Sequence, residues 1–241
     1  MLWLQRISLN FNSFLQRQKE VVQTKQRKHT LTQANTTFGA ISMSQARVLT
    51  ERELRKVLSY CSTQAHAPRN RAMLLCTHQA GMRVGEVAAL RLCDVLAADG
   101  TVMDEIALAA SQTKGSKGRT VLVPRKLREE LTGYLQQRFG IANLQAVTQT
   151  DTQRALFPTQ KNPKRGFTAN TLCQLFHKIY KDAHMTGAKS HSGRRTFITK
   201  LADKGVGVRV LMALAGHRSV QTTLRYIELN PTVMKAAVEL I

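Results

Sequence analysis

Apolar residues recur at helical spacing through most of the chain beyond residue 44, and this pattern predicts a mostly helical protein. Thr50 and Glu53 form a capping-box pattern, so the first helix of this region begins there. Further helices are predicted from the apolar spacing and from the glycine or proline that follows several of the helical segments. They cover residues 69–80, 85–92, 125–139, 168–180, 192–204, 208–215 and 219–229.

Two short segments lack the helical spacing and predict a small antiparallel sheet. Residues 101–109 alternate loosely between polar and apolar side chains, and residues 119–123 form a short strand that Pro124 ends. A glycine-containing turn over 114–118 joins the two strands. Residues 141–154 are interpreted as a polar stretch. The predicted fold class is therefore α+β, mostly α with a small antiparallel β-sheet.

Residues 1–43 differ in composition from the rest of the chain. They are rich in Gln, Asn, Thr and Ser, and they carry six Lys and Arg against one acidic residue. We expect a basic, polar extension over 1–43, either partly helical or disordered, and one globular domain over 44–241. Met43 is a hypothetical alternative start of the chain.

The whole chain is strongly basic, with 36 Lys and Arg against 15 Asp and Glu and a net charge of +21. This excess favours a polyanionic partner, because Lys and Arg release the counterions condensed on a phosphate backbone. No apolar run reaches the roughly 20 residues that span a membrane. Four widely spaced cysteines indicate reduced thiols and a cytoplasmic protein, and they form neither a disulfide frame nor a zinc motif.

Four short segments carry the candidate chemistry. They are Ala80–Glu86, Thr113–Arg119, His191–Arg194 and Leu214–His217, the last with Tyr226 nine residues after it. In this order they resemble the tyrosine recombinase (phage integrase) family, in its C-terminal catalytic domain. The resemblance covers residues 44–241 and implies the fold of a DNA breaking-rejoining enzyme. It includes all six positions of the family's active-site pattern, here Arg83, Lys114, His191, Arg194, His217 and Tyr226.

Arg83 and Arg194 suit the binding of a phosphate in the transition state. Planar guanidinium groups match phosphate oxygens bidentately and stay charged at neutral pH. His191 and Arg194 are three residues apart and therefore lie on one helix face or in the turn just before it, whereas the competing Arg195 points about 100° away. Imidazole titrates near neutrality, and the resemblance gives His191 a supporting acid/base role.

Lys114 lies in the glycine-rich turn between the predicted strands. The resemblance makes it the general acid that protonates the departing 5′-oxygen. Lys117 and Arg119 are alternatives for that role, and a basic hairpin that only binds phosphates is a third interpretation.

Tyr226 is the nucleophile that the resemblance implies. Val220, Leu224 and Ile227 follow helical spacing and predict the buried stripe of their helix. Tyr226 lies about 100° away from that stripe, so its hydroxyl can be presented outward.

The remaining site residues support these groups. The resemblance gives His217 a hydrogen bond to the phosphate, and Glu86 is expected to hold Arg83 through a charge-assisted contact. Basic residues near the motifs are expected to bind DNA. They are Lys117, Arg119, Lys164, Arg165, Arg195, Arg218 and Arg225.

The reaction that the resemblance implies is a transesterification through a 3′-phosphotyrosine, without metal, cofactor or ATP. It further implies double-stranded DNA as the substrate and a homotetramer on paired sites. The apolar tail over 231–241 would contact a neighbouring subunit, and an accessory DNA-bending or directionality protein could assist. The protein would act in the cytoplasm, at the nucleoid. Most members of the family also have a separate DNA-clamping domain, which 43 polar residues cannot supply. The chain therefore resembles short, catalytic-domain-only members, such as recombinases that invert promoter segments, or else a truncated integrase.

Two other functions fit part of the pattern. Residues 208–226 also predict a helix, a glycine-containing turn and a second helix, as in a helix-turn-helix regulator that binds DNA without cutting it. A type IB topoisomerase-like relaxer would share the tyrosine chemistry.

Overall fold

The computed structural model describes residues 45–113, 117–140, 144–162 and 165–227, together with Met234, Val238 and Glu239. The predicted extension over 1–43, Lys114, Lys164 and most of the tail over 231–241 lie outside these residues. The described helices are α1 Glu51–Ser62, α2 Ala67–Gln79, α3 Val84–Ala89, α4 Leu92–Val95, α5 Arg125–Phe139, α6 Leu144–Thr150, α7 Ala169–Asp182, α8 Ser192–Asp203, α9 Val208–Ala215 and α10 Val220–Leu224.

The predicted antiparallel sheet is present and has two strands. Strand β1, Glu105–Leu108, pairs with β2, Arg119–Leu122, so that Glu105 lies opposite Leu122 and Leu108 opposite Arg119. Ile106, Leu108 and Val121 are buried, because one face of the hairpin packs on the helices. The mostly helical fold with a small sheet is therefore confirmed.

Helix α2 runs through the middle of the core, and every residue from Ala72 to His78 is buried. It packs against α8, α5 and α1. Phe176 and Tyr180 of α7 add the largest aromatic groups to the same core. Because α2 is surrounded by other helices over this stretch, its C-terminal end is a fixed platform for the loop that follows it.

Most helix ends follow the local sequence signals. The Thr50 side chain accepts a hydrogen bond from the Glu53 amide, and the Glu53 carboxylate accepts one from the Thr50 amide, as the capping-box pattern predicts. Helix α2 begins two residues earlier than predicted. Pro68 lies in its first turn, where a proline needs no amide hydrogen. Helix α6 occupies the stretch interpreted as merely polar, and Leu144 is its one buried residue.

Helix α10 contradicts the predicted apolar stripe. Val220 and Leu224 expose about half of their surface, 48% and 49%, whereas Thr223 is fully buried. The helix is also shorter than predicted. Its inner face is polar because Thr223 lies against His217 of the preceding loop. The spacing of apolar residues does not predict this contact.

Among the described residues, no helix combines the length and the apolar composition needed to cross a bilayer.

Gly193 offers a test of the packing between α2 and α8. A Cβ atom at Gly193 would lie 2.0 Å from Thr77 Oγ1 and 2.9 Å from His78 Cδ2, both in the core. We expect Gly193→Ala to lower the free energy of unfolding by about 1–3 kcal/mol, because the helices must separate. Chemical denaturation followed by circular dichroism measures this change.

Gly133→Ala is the matched control within a helix. A Cβ atom at Gly133 meets no heavy atom within 4 Å, so this variant is expected to gain about 0.5–1 kcal/mol from helix propensity. Equal effects of the two substitutions would contradict the close approach of α2 and α8.

Candidate active site

Arg83 leaves the core where α2 ends. Gly81 has φ +61°, a conformation that favours glycine, and it turns the chain between α2 and α3. Arg83 is the residue before the first turn of α3, in extended conformation, and its side chain is one-quarter exposed. The turn thus places a guanidinium group at the protein surface while its backbone remains fixed by the core.

Glu86 holds Arg83 from within the same helix. One carboxylate oxygen accepts from the Arg83 backbone amide at 2.7 Å, and the other accepts from Arg83 Nη1 at 2.8 Å. Arg83 Nη2 donates to the carbonyl oxygen of Gly216 at 3.1 Å. Arg83 is therefore fixed between α3 and the loop after α9, and the contact that the sequence predicted between Glu86 and Arg83 is present.

Arg119 completes the surroundings of Glu86. Its Nε and Nη2 atoms donate to the two carboxylate oxygens at 3.1 and 2.7 Å, and its Nη1 donates to the Leu214 carbonyl at 3.0 Å. Burial alone would raise the pKa of Glu86, but the charge and hydrogen bonds of Arg119, and then those of Arg83, outweigh it and keep that pKa below its usual value. Glu86 is therefore ionised.

Arg83, Arg119 and Arg194 form an arginine cluster, and Arg194 is its most buried member. It lies in the first turn of α8, and its Nη atoms donate to the carbonyl oxygens of Gly81 and Ala215. Burial, and then the charge of Arg83, lower the pKa of the Arg194 guanidinium to about 9, which leaves it charged at neutral pH. The competing Arg195 is half-buried, with its guanidinium carbon 5.9 Å from the centre of the Tyr226 ring.

His217 follows the turn at Gly216, which has φ +61°. Its Nδ1 atom lies 2.9 Å from Thr223 Oγ1, and its ring stacks on that of Tyr226 with centroids 5.6 Å apart. Burial, and then the charges of Arg194 and other arginines, lower the pKa of His217 to about 4. The imidazole is therefore neutral at pH 7.

Tyr226 lies at the end of the segment that α10 begins. Its amide donates to the Thr223 carbonyl, and its own carbonyl accepts from Thr199 of α8. The structure thus brings Tyr226 to the loop of His217 and near Arg194, whose pKa its phenol group raises. This convergence agrees with the arrangement that the motifs imply.

Several other predicted site residues are exposed. His191 is the exposed residue that precedes the first turn of α8, three positions before Arg194. Lys117 is exposed, with its carbonyl accepting from the Thr113 hydroxyl. Arg165, Arg218 and Arg225 are exposed as well.

Arg119 was predicted to bind DNA, but its side chain faces the interior of the protein. Its side chain is only 10% exposed and is occupied by Glu86 and Leu214. One signal in the sequence could have indicated this placement. Arg119 and the apolar Val121 are two residues apart in a strand, so they share the inward face. The sequence also did not indicate Thr223, which lies three residues before Tyr226 and contacts His217.

Within the described part of the chain, no three His, Cys, Asp or Glu side chains converge as metal ligands would. The cluster that the structure assembles is instead built from arginines, one carboxylate, a neutral histidine and a tyrosine. Such a group can hold a phosphate and offer it a hydroxyl.

Known structures with the same fold include recombinases. A crystal structure of XerA recombinase aligns with a TM-score of 0.62 and 25% identity, over 80% of this chain and 64% of that chain. The catalytic domain of bacteriophage HP1 integrase aligns with a TM-score of 0.53 and 18% identity, over 81% of this chain and 95% of that domain. The fold is that of a tyrosine recombinase catalytic domain.

The phage integrase family profile matches residues 47–232, and the chain belongs to this family. Tyrosine recombinase XerA of Pyrococcus furiosus is 27% identical over 192 residues, covering 79% of this chain and 60% of the relative. Transposase A of transposon Tn554 from Staphylococcus aureus is 26% identical over 201 residues, covering 81% of this chain and 52% of the relative. The chain thus spans roughly half to three-fifths of the length of these relatives.

The lowered pKa of His217 predicts a pH dependence of stability. An unfolded histidine takes up a proton below about pH 6.5, whereas His217 in the folded protein does so only near pH 4. Stability is therefore lost as the pH falls from about 6.5 to about 4. We expect His217→Gln to show a shallower loss than the unmodified protein in denaturant titrations across this range.

Exposed His177 serves as the control position, and His177→Gln is expected to keep the slope of the unmodified protein. A slope unchanged by His217→Gln would show that this imidazole is not buried against the arginines.

Proposed function

We propose that the chain is the catalytic part of a site-specific DNA recombinase that cuts and rejoins DNA through a 3′-phosphotyrosine. The observation that supports this function most strongly is the meeting of Arg83, Arg194, His217 and Tyr226 around one loop. Residues 44–241 would form the catalytic domain, and residues 1–43 a basic extension.

In the proposed reaction, the Tyr226 hydroxyl oxygen attacks a phosphorus atom of the DNA backbone. The bond from phosphorus to the 5′-bridging oxygen breaks, and the 3′-phosphate stays on the tyrosine. The phenol proton would pass to His191, acting as the base, and Lys114 would supply the proton that the departing 5′-oxygen takes up. A 5′-hydroxyl from a second duplex then attacks the phosphotyrosine, which releases the tyrosine and needs no external energy source.

The tyrosines of the described chain differ in a way that favours Tyr226 as the nucleophile. The hydroxyl groups of Tyr60, Tyr134 and Tyr180 have partners in Asp182, the Leu156 carbonyl and His78, respectively. Among the described residues, none forms a hydrogen bond with the Tyr226 hydroxyl. The Tyr226 hydroxyl is therefore not held by a group in the core and is available to a phosphate bound at the arginines.

Arg83 and Arg194 would stabilise the charge that develops on the non-bridging oxygens. Each guanidinium group has five N–H donors and makes two hydrogen bonds through its Nη atoms, so donors remain for a phosphate. The carbonyl partners of Arg194 are neutral and leave its charge available.

His217 would act as a hydrogen-bond donor. Its pKa of about 4 leaves it uncharged at neutral pH. When the Thr223 hydroxyl donates to Nδ1, the proton of the imidazole is on Nε2 and can be donated to a phosphate oxygen. His191 would assist the proton transfers from the start of α8.

The proposed partners are double-stranded DNA and further copies of this chain, four on two paired sites. Exposed apolar residues on the last two described helices support a contact between subunits, since Val210, Val220 and Leu224 each expose about half of their surface. The tail over 231–241 would add to this contact, and an accessory DNA-bending protein could bring the sites together. The protein would act in the cytoplasm, at the nucleoid.

A non-cutting helix-turn-helix regulator is less consistent with this geometry. Helix α9, the Gly216 turn and α10 do follow one another, but α10 has only five residues. Its buried Thr223 faces His217 and the arginine cluster, which a recognition helix would not require.

Tyr226→Phe tests the proposed nucleophile. The variant keeps the aromatic ring that stacks on His217 but loses the attacking oxygen. We expect it to bind DNA with unchanged affinity and to form no covalent adduct with a nicked duplex whose cleaved end diffuses away. The duplex would carry the sequence mapped from DNA attached to the protein in cells.

Tyr60→Phe is the control, because it removes a hydroxyl on α1 that is bound to Asp182. It should form adducts as the unmodified protein does. Adducts formed by Tyr226→Phe would refute the assignment, and relaxation of a single duplex without strand exchange would favour a topoisomerase-like activity.

A further inference from the structure

Arg119 connects Glu86, which holds Arg83, to the C-terminal end of helix α9. It is the first residue of β2, and its guanidinium group is bidentate on Glu86 while also donating to the Leu214 carbonyl of α9. Its side chain is 10% exposed, and that of Glu86 is 1% exposed. A bidentate pair between two buried groups fixes both distance and orientation.

Glu86 transmits this constraint to Arg83. Both of its carboxylate oxygens are shared, one between Arg119 Nη2 and the Arg83 amide and the other between Arg119 Nε and Arg83 Nη1. Without Arg119, the buried carboxylate would keep only Arg83 as a charged partner. Glu86 could then rotate, and Arg83 would move with it.

The stem of Arg119 constrains the loop that carries His217. A Cβ atom at Gly216 would lie 2.6 Å from Arg119 Cδ, so the loop backbone lies directly on this side chain. The Gly216 carbonyl accepts from Arg83 Nη2, and the Leu214 carbonyl accepts from Arg119 Nη1. The Arg119 side chain thus contacts both Glu86, which holds Arg83, and the backbone of the loop that leads to His217.

We propose that Arg119 is a positioning residue, which holds Arg83 and the Gly216–His217 loop in the geometry needed for phosphoryl transfer without touching DNA itself. This inference rests on the proposed recombinase function. Its burial and its bidentate pair with Glu86 distinguish Arg119 from the exposed cations Lys117 and Arg218, which remain candidates for contact with DNA.

Arg119→Gln and Arg119→Lys test this role. Gln removes the charge, and Lys keeps the charge but cannot form the bidentate pair. We expect the single-turnover rate of adduct formation on the nicked duplex to fall by about 10²-fold for Gln, because a small misplacement of a catalytic group has effects of this size. Lys should recover part of the rate. DNA affinity and its salt dependence should stay unchanged for both variants.

Arg125→Gln is the matched control for net charge. Arg125 is 82% exposed at the start of α5 and pairs with Glu129, so its loss should alter neither rate nor affinity. A lower affinity with a reduced salt slope for Arg119→Gln, at an unchanged rate, would identify Arg119 as a DNA contact and overturn the proposal.

A duplex with sulfur in place of the 5′-bridging oxygen separates two routes of action. A thiolate departs without a general acid, because thiols are far more acidic than alcohols. The substrate should restore cleavage to Lys114→Ala, which lacks the proposed acid, but not to Arg119→Gln. Restored cleavage by Arg119→Gln would mean that Arg119 acts only through the turn of Lys114, contrary to the proposal.

A double variant tests the route through Glu86. If Arg119 acts through Glu86, the rate losses of Arg119→Gln and Glu86→Gln should combine to less than their product, whereas independent roles would multiply. Thermal unfolding checks that each variant is folded. If Arg119→Gln does not fold, Arg119→Lys replaces it in the rate measurements.

The failures of the two proposals are distinguishable. Absence of any adduct from the unmodified protein would reject the recombinase function and this inference with it. Adduct formation at an equal rate by the unmodified protein and both Arg119 variants would reject the positioning role alone.

Discussion

The shared carboxylate of Glu86 is the interaction on which the geometry of the site depends. It is nearly inaccessible to solvent, and it is the acidic partner of both Arg83 and Arg119. A buried carboxylate without partners would be strongly unfavourable, so Glu86 requires both arginines, and the arginines are fixed by it in turn. Three guanidinium groups around one carboxylate leave a net charge of about +2, which is what a phosphodiester and its developing charge can neutralise.

Backbone carbonyl groups make this excess of positive charge tolerable. Arg194 donates to the carbonyls of Gly81 and Ala215, and Arg83 donates to that of Gly216. These oxygens satisfy the donors without cancelling the charge, whereas further carboxylates would have neutralised the cluster. Gly81 and Gly216 both have φ +61°, so the loops that supply or flank these carbonyls depend on glycine. Gly81 and Gly216 therefore allow the backbone turns whose carbonyl groups accept hydrogen bonds from Arg194 and Arg83, respectively.

The sequence predicted the elements better than their orientation. Caps, glycine stops and apolar spacing are local signals, and they located α5 and α9 to the residue. The motifs also predicted the meeting of Arg83, Arg194, His217 and Tyr226. The role of Arg119 depends on Glu86, which is 33 residues away, and on the Leu214 carbonyl, which is 95 residues away. Periodicity contains no information about such partners, although the alternation with Val121 could have indicated that Arg119 is on the buried face.

Helix α10 shows why local rules fail at this site. Apolar spacing normally marks the buried face of a helix, but here the buried face carries Thr223, and the apolar Val220 and Leu224 point outward. The reason is that the interior next to α10 is the imidazole of His217 rather than the apolar core, so a hydroxyl is the better neighbour. A helix that faces a polar site on one side can leave its apolar residues exposed, as Val220 and Leu224 are here. The inversion of the pattern therefore follows from the site, since departures from local consistency are expected where function constrains the chain.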